Sequence, residues 1–393
     1  MDDRAVLLEV KDLKTQFFLD EGTVRAVDGA SFKIHRGETL GVVGESGCGK
    51  SITARSILRI VRPPGRIVEG SIQWHGSVGG HAVELTRFDP QSNAMRNIRG
   101  AEISMVFQEP MSSLSPVHTI GNQIIEAIRL HQAVSQDEAR RKALHVLNQV
   151  GMPQPNRIID RYPHQLSGGM RQRAMIAMAL SCHPDLLIAD EPTTALDVTT
   201  EAQILTLMRE LQRELGMAIM FITHNLGVVA QMTENVIVMY MGKVVERADV
   251  VTLFHNPKHP YTIALLESIP RLGTRGQGRL ASIKGSVPNP YSIVTGCPFH
   301  PRCPSFMPGL CDTIVPQETA IDGNPEHTVR CHLYPGSIPL DATGSTNTTR
   351  VPGAPSGPGV GRHGDEESLK VLPSFSVPPR LRGSPRPPRE VRS

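Results

Sequence analysis

The segment GESGCGKS, residues 44–51, constrains the fold of this chain more than any other feature. It ends the apolar run TLGVVG at 39–44 and precedes SITARSILRIV at 51–61, whose pattern predicts a helix. A glycine-rich turn between a buried strand and a helix directs backbone N–H groups and the helix N-terminus towards an anion. The pattern G-x-x-x-x-G-K-[ST] therefore predicts a loop that binds nucleotide phosphates in an α/β protein.

The residues of this loop have distinct expected roles in holding ATP and Mg²⁺. Its glycines let the backbone approach the phosphates closely. Lys50 is expected to neutralise the β- and γ-phosphates, and Ser51 to bind Mg²⁺. The predicted nucleotide-binding residues are Gly44, Glu45, Ser46, Gly47, Cys48, Gly49, Lys50, Ser51 and Ile52.

Two acidic residues end a second apolar run, DLLIADE at 185–191. The carboxylate of Asp190 is placed to hold Mg²⁺, directly or through water. Glu191 is placed to orient and polarise a water molecule that attacks the γ-phosphate. An Asp-Glu pair at this point favours ATP hydrolysis over nucleotide storage.

Short apolar runs alternate with helical stretches along the chain, a pattern typical of an α/β core. Besides the two runs above, MAIMFIT at 217–223 predicts a strand, and the apolar spacing of Ile204, Met208, Leu211 and Leu215 predicts an amphipathic helix before it. A helical stretch at about 119–180 is expected as an insertion between two core strands.

Charge and hydropathy narrow the possible partners. No apolar run reaches the roughly 18–20 residues of a membrane-spanning helix, so membrane association is expected to come through a partner. Eight basic and five acidic residues in 336–393 account for the whole net charge of +3. The rest of the chain is neutral and lacks the basic footprint of a nucleic-acid-binding protein. The same Pro-, Gly- and Ser-rich tail is predicted to be disordered.

A third motif gives the chain a family resemblance. QLSGGMRQR at 165–173 resembles the signature motif of ABC-type ATPases, usually LSGGQ, which lies in a helical insertion in that family. Further matches follow in the family's order over about residues 6–335. Gln108 resembles the Q-loop residue, Asp197 the D-loop residue, His224 the switch histidine, and Phe17 the aromatic residue that stacks on adenine, with Phe18 as the alternative.

The resemblance implies a head-to-tail pair of ATPase subunits that closes on ATP. Ser167, Gly168 and Gly169 are then expected to contact the γ-phosphate held by the partner's loop. His224 is expected to hold the γ-phosphate and the attacking water in line. Gln108 is expected to reach Mg²⁺ and water, while its loop contacts membrane subunits. Met170 departs from the usual glutamine and lacks its side-chain hydrogen bonds, but ATP binding and activity are expected to persist.

The C-terminal half indicates one branch of the family. NPKHPYTIALLESIPR at 256–271 and the cysteine-rich stretch after it resemble the ATPase subunits of dipeptide, oligopeptide and nickel importers. Two further segments, FQEPMSSLSP and DEPTTALDVTTEAQIL, resemble the D-type ATPase subunit of those importers more than its F-type companion. The implied function is an ATPase that powers peptide import. Implied partners are a related ATPase in a heterodimer, two permease subunits and an extracytoplasmic binding protein, with no nucleic acid. The implied location is peripheral, on the cytoplasmic face of the cell membrane.

The expected organisation has three parts. Residues 1–255 are predicted to form an ABC ATPase domain with a helical subdomain at about 110–180, residues 256–335 a small Cys-rich domain, and residues 336–393 the disordered tail. Three alternatives stay open: a nickel or other small-solute importer, an exporter ATPase, and a non-transport ATPase in translation or DNA repair. The neutral body and single cassette disfavour the last, and the region after 256 disfavours the exporter.

Four of the six cysteines gather near the end of the predicted folded part: Cys297, Cys303, Cys311 and Cys331. A reducing cytosol disfavours disulfides, and the spacing lacks the C-x₂-C pairs typical of zinc ribbons. A structural [4Fe–4S] cluster with these four ligands is the preferred hypothesis. Zinc, with His300, His327 or His332 as spare ligands, and unligated thiols remain as alternatives.

Overall fold

The computed structural model describes residues 4–76, 82–109, 113–269 and 283–338, and every structural statement below concerns these residues. Nearly all of the predicted disordered tail, 336–393, lies outside them. Within this part of the chain, no helix combines the length and apolar character that crossing a bilayer requires.

The described residues form two sheets and a set of mostly short helices. The strands are β1 (Val6–Leu19), β2 (Gly22–His35), β3 (Thr39–Val43), β4 (Gly65–Trp74), β5 (Val83–Glu84), β6 (Ile103–Val106), β7 (Leu186–Asp190), β8 (Ala218–Ile222), β9 (Asn235–Tyr240), β10 (Lys243–Asp249), β11 (Thr319–Ile321) and β12 (Asn324–Val329). The α-helices are α1 (Lys50–Ile57), α2 (Asn93–Ile98), α3 (Ile120–His131), α4 (Gln136–Gln149), α5 (Pro155–Ile158), α6 (Gly168–Leu180), α7 (Val198–Leu215), α8 (Leu226–Met232), α9 (Val250–His255) and α10 (Pro260–Glu267).

The larger sheet has the strand order β11-β12-β10-β9-β3-β8-β7-β6. Its five strands from β9 to β6 are parallel to one another. Every residue of β3, β7 and β8 is buried, as expected for parallel strands covered on both faces. The predicted α/β core is confirmed, and the phosphate loop and the acidic pair follow two of its central strands.

A second, four-stranded sheet in the order β2-β1-β4-β5 was not predicted from the sequence. All of its pairings are antiparallel. The pairing of β1 with β2 and its pairing with β4 both shift register across Asp12, whose φ is 45°. These irregularities break the two-residue alternation that identifies a strand, which explains the missed prediction.

The helical insertion lies between β6 and β7, as predicted. Ser and Thr side chains cap its helices: Thr119 precedes α3, Ser135 precedes α4 and Ser167 precedes α6. Each accepts a hydrogen bond from a backbone N–H of the first turn. Apolar residues such as Ile124 and Leu147 join one buried cluster with the core strands. The insertion therefore shares a hydrophobic core with the larger sheet.

Of two helices predicted from the sequence, one is observed as expected and the other is shorter. In α7, Ile204, Met208 and Leu211 are buried and Leu215 packs against them, so the predicted apolar face is confirmed. In contrast, α1 ends at Ile57 rather than continuing to Val61. Its C-cap Leu58 is followed by Arg59 with φ 55°, the left-handed conformation that commonly terminates a helix.

The chain after β9 returns to the larger sheet. Strands β9 and β10 form a hairpin through Met241 and Gly242, both with positive φ. Strand β12 then pairs with β10, so residues 324–329 extend the larger sheet. The larger sheet thus contains strands from β3, which begins at Thr39, to β12, which ends at Val329.

Candidate nucleotide-binding site

The backbone of the phosphate loop requires its glycines. Gly44 has φ 149° and Gly49 has φ 104°. A Cβ atom on Gly44 would lie 2.2 Å from the carbonyl oxygen of Met239, and one on Gly49 would lie 2.3 Å from that of Ala26. Any side chain at these positions would displace backbone, so the loop shape depends on both glycines.

Lys50 lies inside the loop. Its Nζ donates hydrogen bonds to the carbonyl oxygens of Gly44, at 2.8 Å, and Glu45, at 3.0 Å. The ammonium group is buried and spans the loop where the sequence pattern places the β- and γ-phosphates. A lysine held this way presents positive charge to an anion in the loop.

Ser51 and Asp190 meet across the ends of α1 and β7. The Ser51 hydroxyl donates to Asp190 Oδ1 at 2.9 Å. Burial raises the pKa of Asp190, and the hydrogen bond from Ser51 opposes that rise. A hydroxyl and a carboxylate at this distance are oxygen ligands of the kind Mg²⁺ prefers.

The three predicted catalytic residues come together at Glu191. Its Oε2 accepts hydrogen bonds from Gln108 Nε2 at 3.1 Å and Thr194 Oγ1 at 3.0 Å. Its Oε1 lies 3.2 Å from His224 Nδ1. The His224 side chain is 63% exposed and that of Glu191 14% exposed. The carboxylate is therefore oriented by neighbours yet reachable by water.

The two candidate adenine-stacking rings have different surroundings. Phe17 is half-buried, and its ring lies 2.5 Å from the position of a Cβ atom on Gly65, so the ring packs over that glycine. Phe18 is more exposed, with the Arg66 guanidinium 4.3 Å from its ring centre. Phe18 is therefore the more accessible ring, and the Arg66 guanidinium lies over it.

The signature residues form a second cluster. The Ser167 side chain accepts from the backbone N–H of Met170 at 3.4 Å and caps α6. Asp197 caps α7 in the same way, through the N–H of Thr200. These residues, with Gly168 and Gly169, line a cavity of about 520 Å³. The hydrogen bonds of both caps stay within their own helix starts, and the side chain of Met170 packs against the core.

The four C-terminal cysteines are all free thiols. Cys297, Cys311 and Cys331 are buried, and Cys303 is partly exposed. Burial raises the pKa of Cys297 to about 11 and that of Cys331 to about 12. Repulsion from other cysteines of the set contributes to both raised pKa values, after burial.

The side chains around the cysteines bear on the metal-binding hypotheses. In the described ranges, no three or more His, Cys, Asp or Glu residues form a group that could hold a metal ion. The spare histidines of the zinc alternative are also occupied: His327 Nε2 contacts Glu246, His332 Nε2 the carbonyl oxygen of Ile314, and His300 Nδ1 that of Cys297.

Two contacts to the phosphate loop were missed by the sequence analysis. Tyr261 and Arg302 both contact Glu45. They come from the C-terminal segment, the described residues after 255. Tyr261 lies in the HPYT sequence, which alone indicated only a helix start with proline. Thr194, which contacts Glu191, was missed as well, although it follows the acidic pair closely.

Comparison with known families matches two parts of the chain. The family described as ABC transporter matches residues 27–194. The family described as oligopeptide/dipeptide transporter, C-terminal region, matches residues 245–311. The first includes the phosphate loop and the acidic pair, and the second includes Tyr261, Arg302 and three of the four cysteines.

Several curated proteins are similar over most of their length. A probable peptide ABC transporter ATP-binding protein of Sinorhizobium fredii is 50% identical, covering 83% of this chain and 94% of the relative. The oligopeptide transport ATP-binding protein AppD of Bacillus subtilis is 50% identical, covering 84% and 97%. The dipeptide transport ATP-binding protein DppD of Escherichia coli is 47% identical, covering 76% and 88%.

Solved structures show the same fold. A bacterial ABC transporter cassette solved as a dimer is 27% identical with a TM-score of 0.54, covering 62% of this chain and 99% of that one. A dimer of the same cassette in a post-hydrolysis state, bound to ADP and Pi, gives the same values. The alignment with these cassettes places the described core in a known architecture.

Proposed function

The chain belongs to the ABC transporter family and is an ATP-hydrolysing transport subunit, and we propose that its transporter imports peptides. One observation carries the choice of cargo: residues 245–311 match the C-terminal region of oligopeptide and dipeptide transporters. Relatives named as peptide, oligopeptide and dipeptide transport proteins cover most of this chain at 47–50% identity. Dipeptides and oligopeptides are the proposed substrates.

Glu191 is the proposed general base. Its carboxylate is held by Gln108 and Thr194 and faces His224, an arrangement that orients a water molecule for in-line attack on the γ-phosphate. His224 is proposed to hold that water and the γ-phosphate in line. The exposure of its side chain leaves it free to turn towards a bound nucleotide.

Mg²⁺ is the expected companion of ATP in this family, and three residues are proposed to hold it. Ser51 and Asp190 are already in contact, and Gln108 lies beside Glu191 within reach of the same region. The metal supplies neutralisation of phosphate charge when bound. Gly44, Glu45, Ser46, Gly47, Cys48, Gly49, Lys50 and Ile52 are proposed to enclose the phosphates, and Phe17 or Phe18 to stack on adenine.

The signature cluster is proposed to act on the nucleotide of a second subunit. Ser167, Gly168 and Gly169 lie at the N-terminus of α6, where a hydroxyl and backbone N–H groups are suited to an anion. Asp197 is proposed to contact the nucleotide site across the dimer interface. The partner is proposed to be a related ATPase, giving a heterodimer under two permease subunits on the cytoplasmic face of the membrane. An extracytoplasmic binding protein is proposed to deliver the peptide.

The four cysteines are proposed to hold a [4Fe–4S] cluster that stabilises the C-terminal segment. All four are free, and the other three contribute to the raised pKa of Cys331. In such a cluster each thiolate binds a different iron, so the ligands do not have to converge on one ion. The finding that no side-chain group suits a single metal ion therefore bears most directly on zinc.

Anaerobic purification followed by iron and sulfide analysis tests the cluster. About four iron and four sulfide per chain are expected, and replacing Cys297 and Cys331 by serine should remove them. A colourless anaerobic protein without iron or sulfide would contradict the proposal.

Reconstituted transport tests the proposed function. The complete transporter in proteoliposomes, with its binding protein outside, is expected to take up a radiolabelled dipeptide or pentapeptide only when ATP is supplied. The K50A variant should abolish uptake. Uptake of nickel ions without peptide uptake would overturn the proposed cargo, and assembly of the active complex with two copies of this chain would overturn the heterodimer.

A further inference from the structure

The phosphate loop is held from outside by the C-terminal segment. The backbone N–H of Glu45 donates to the Tyr261 hydroxyl at 2.7 Å. The Arg302 guanidinium donates to both oxygens of the Glu45 carboxylate, at 2.7 Å and 3.0 Å. Both contacts join residues more than two hundred positions apart in sequence, and both fall on the residue that follows Gly44.

Charge explains why this contact matters for nucleotide binding. Glu45 is the only acidic residue of the loop GESGCGKS. An unpaired carboxylate beside the phosphate cradle would repel ATP, because like charges at short range disfavour each other. Arg302 neutralises that carboxylate in the two-pronged geometry that makes arginine–carboxylate pairs strong. The Lys50 bond to the Glu45 carbonyl oxygen fixes the same residue from inside the loop.

The guanidinium is rigidly supported. The Arg302 side chain is 4% exposed, and its Nε donates to the carbonyl oxygen of Lys284. The ring of Tyr240 lies beneath it, with Tyr261 and Phe299 packed against Tyr240 at ring-centre distances of 4.7 Å and 5.3 Å. A buried, hydrogen-bonded arginine in an aromatic cluster has one orientation, and that orientation is aimed at Glu45.

We propose that Arg302 is a positioning residue for ATP binding, acting through Glu45: it neutralises the carboxylate of the phosphate loop and holds the loop in its shape. Arg302 ends a 3₁₀ turn between Cys297 and Cys303. The C-terminal segment thereby contributes to nucleotide affinity in the same chain, in addition to whatever it does for assembly. This inference rests on the proposed assignment of residues 44–52 to nucleotide binding.

Steady-state ATPase assays and nucleotide-binding measurements on the full-length protein test the proposal. R302Q should raise the KM and the Kd for ATP by about tenfold, while kcat at saturating ATP changes by less than about threefold. R302K retains the charge and loses the two-pronged geometry, so its KM should rise less than that of R302Q.

The decisive comparison is a double-mutant cycle with E45Q. When the carboxylate is absent, R302Q should change the KM by less than about twofold, because the charge that Arg302 neutralises is gone. R330Q is the matched control: Arg330 lies in the same segment and pairs with Glu318 at 3.1 Å rather than with the loop. Its KM should equal that of the wild type.

Three other results of these measurements would contradict the inference or the nucleotide site on which it rests. An R302Q variant with the KM of the wild type overturns the inference. An equal rise in KM with and without the Glu45 carboxylate also overturns it, since Arg302 would then act by general folding. Absence of saturable ATP binding in the wild type would instead overturn the proposed nucleotide site itself.

Discussion

The carboxylates of Glu191 and Glu246 each have three hydrogen-bonding neighbours, but we expect different roles for them. Glu191 has three side-chain neighbours: Gln108, Thr194 and His224. Glu246 accepts from the backbone N–H groups of Lys258, at 2.7 Å, and His259, at 2.8 Å, and from His327 Nε2 at 3.0 Å. The number of contacts is alike, but the nature and exposure of the donors are not.

The donors decide what each carboxylate can do. The neighbours of Glu191 are exposed side chains that can rotate away when water or a nucleotide arrives. Glu246 is fully buried, and two of its donors are backbone groups that cannot leave without unfolding the segment. A carboxylate bound by movable donors suits catalysis, whereas one bound by fixed donors stabilises structure.

Replacing Glu191 should give the largest effect on activity. E191Q removes the base while retaining side-chain volume, so ATP turnover should fall by about 10²- to 10⁴-fold. The free energy of unfolding should change by less than about 0.5 kcal/mol, because the site is partly exposed. Phosphate-release assays and urea denaturation measure the two quantities. Turnover within tenfold of the wild type would show that another group acts as base.

The same substitution at Glu246 should lower stability rather than turnover. E246Q places an amide NH₂ where an oxygen accepted a hydrogen bond, so a buried donor loses its acceptor. Urea denaturation should show a loss of about 3 kcal/mol in the free energy of unfolding. Turnover per folded molecule should fall far less than in E191Q. An unchanged unfolding midpoint would contradict the structural role.

Acidification should also weaken the network around Glu246. Burial lowers the pKa of His259 to about 4, below its unfolded value near 6.5. The unfolded chain therefore binds more protons between these values, and stability falls as pH drops through that window. Between pH 7 and pH 5 this histidine should remove about 2 kcal/mol from the free energy of unfolding.

The H259N variant isolates that contribution. Asparagine offers an acceptor for the Tyr261 N–H, which His259 Nδ1 now accepts at 3.1 Å, and it does not titrate. The decline in stability between pH 7 and pH 5 should be smaller in H259N than in the wild type, as followed by urea denaturation. Equal declines would assign the pH dependence to other groups.

The smallest effect is expected at Thr194. T194V retains the shape of the side chain and removes its hydrogen bond to Glu191. Turnover should fall by less than about tenfold, since one exposed hydrogen bond contributes about 1 kcal/mol. The unfolding midpoint should stay unchanged. A loss as large as that of E191Q would show that the orientation of Glu191 depends on this single contact.

Local sequence predicted those parts of the fold that have a strong local pattern. The runs that became β3, β7 and β8 are apolar throughout because both faces of the strands are covered. The β11–β12 hairpin was missed, although Asp322 and Gly323 form the Asp-Gly pair typical of a two-residue turn. Both residues have positive φ, as that turn requires.

The site was predictable to a different degree in its two parts. The phosphate loop and acidic pair have fixed local spacing and a clear chemistry. Gln108 and His224 were assigned only through family resemblance, because they reach Glu191 across 83 and 33 residues. The contacts of Tyr261 and Arg302 with Glu45 have no local pattern, since they depend on how the C-terminal segment packs on the core.

The pairing of β12 with β10 has a consequence for the order in which the protein is made. A ribosome synthesises β10 about eighty residues before β12, so the nascent chain carries an unpaired sheet edge and lacks the His327 bond to Glu246 during that interval. Arg302 also emerges long after the phosphate loop that it contacts. The phosphate loop therefore gains its outer support only after Arg302 has left the ribosome. A chain stopped at residue 255 would retain every family motif for ATP yet lack that support.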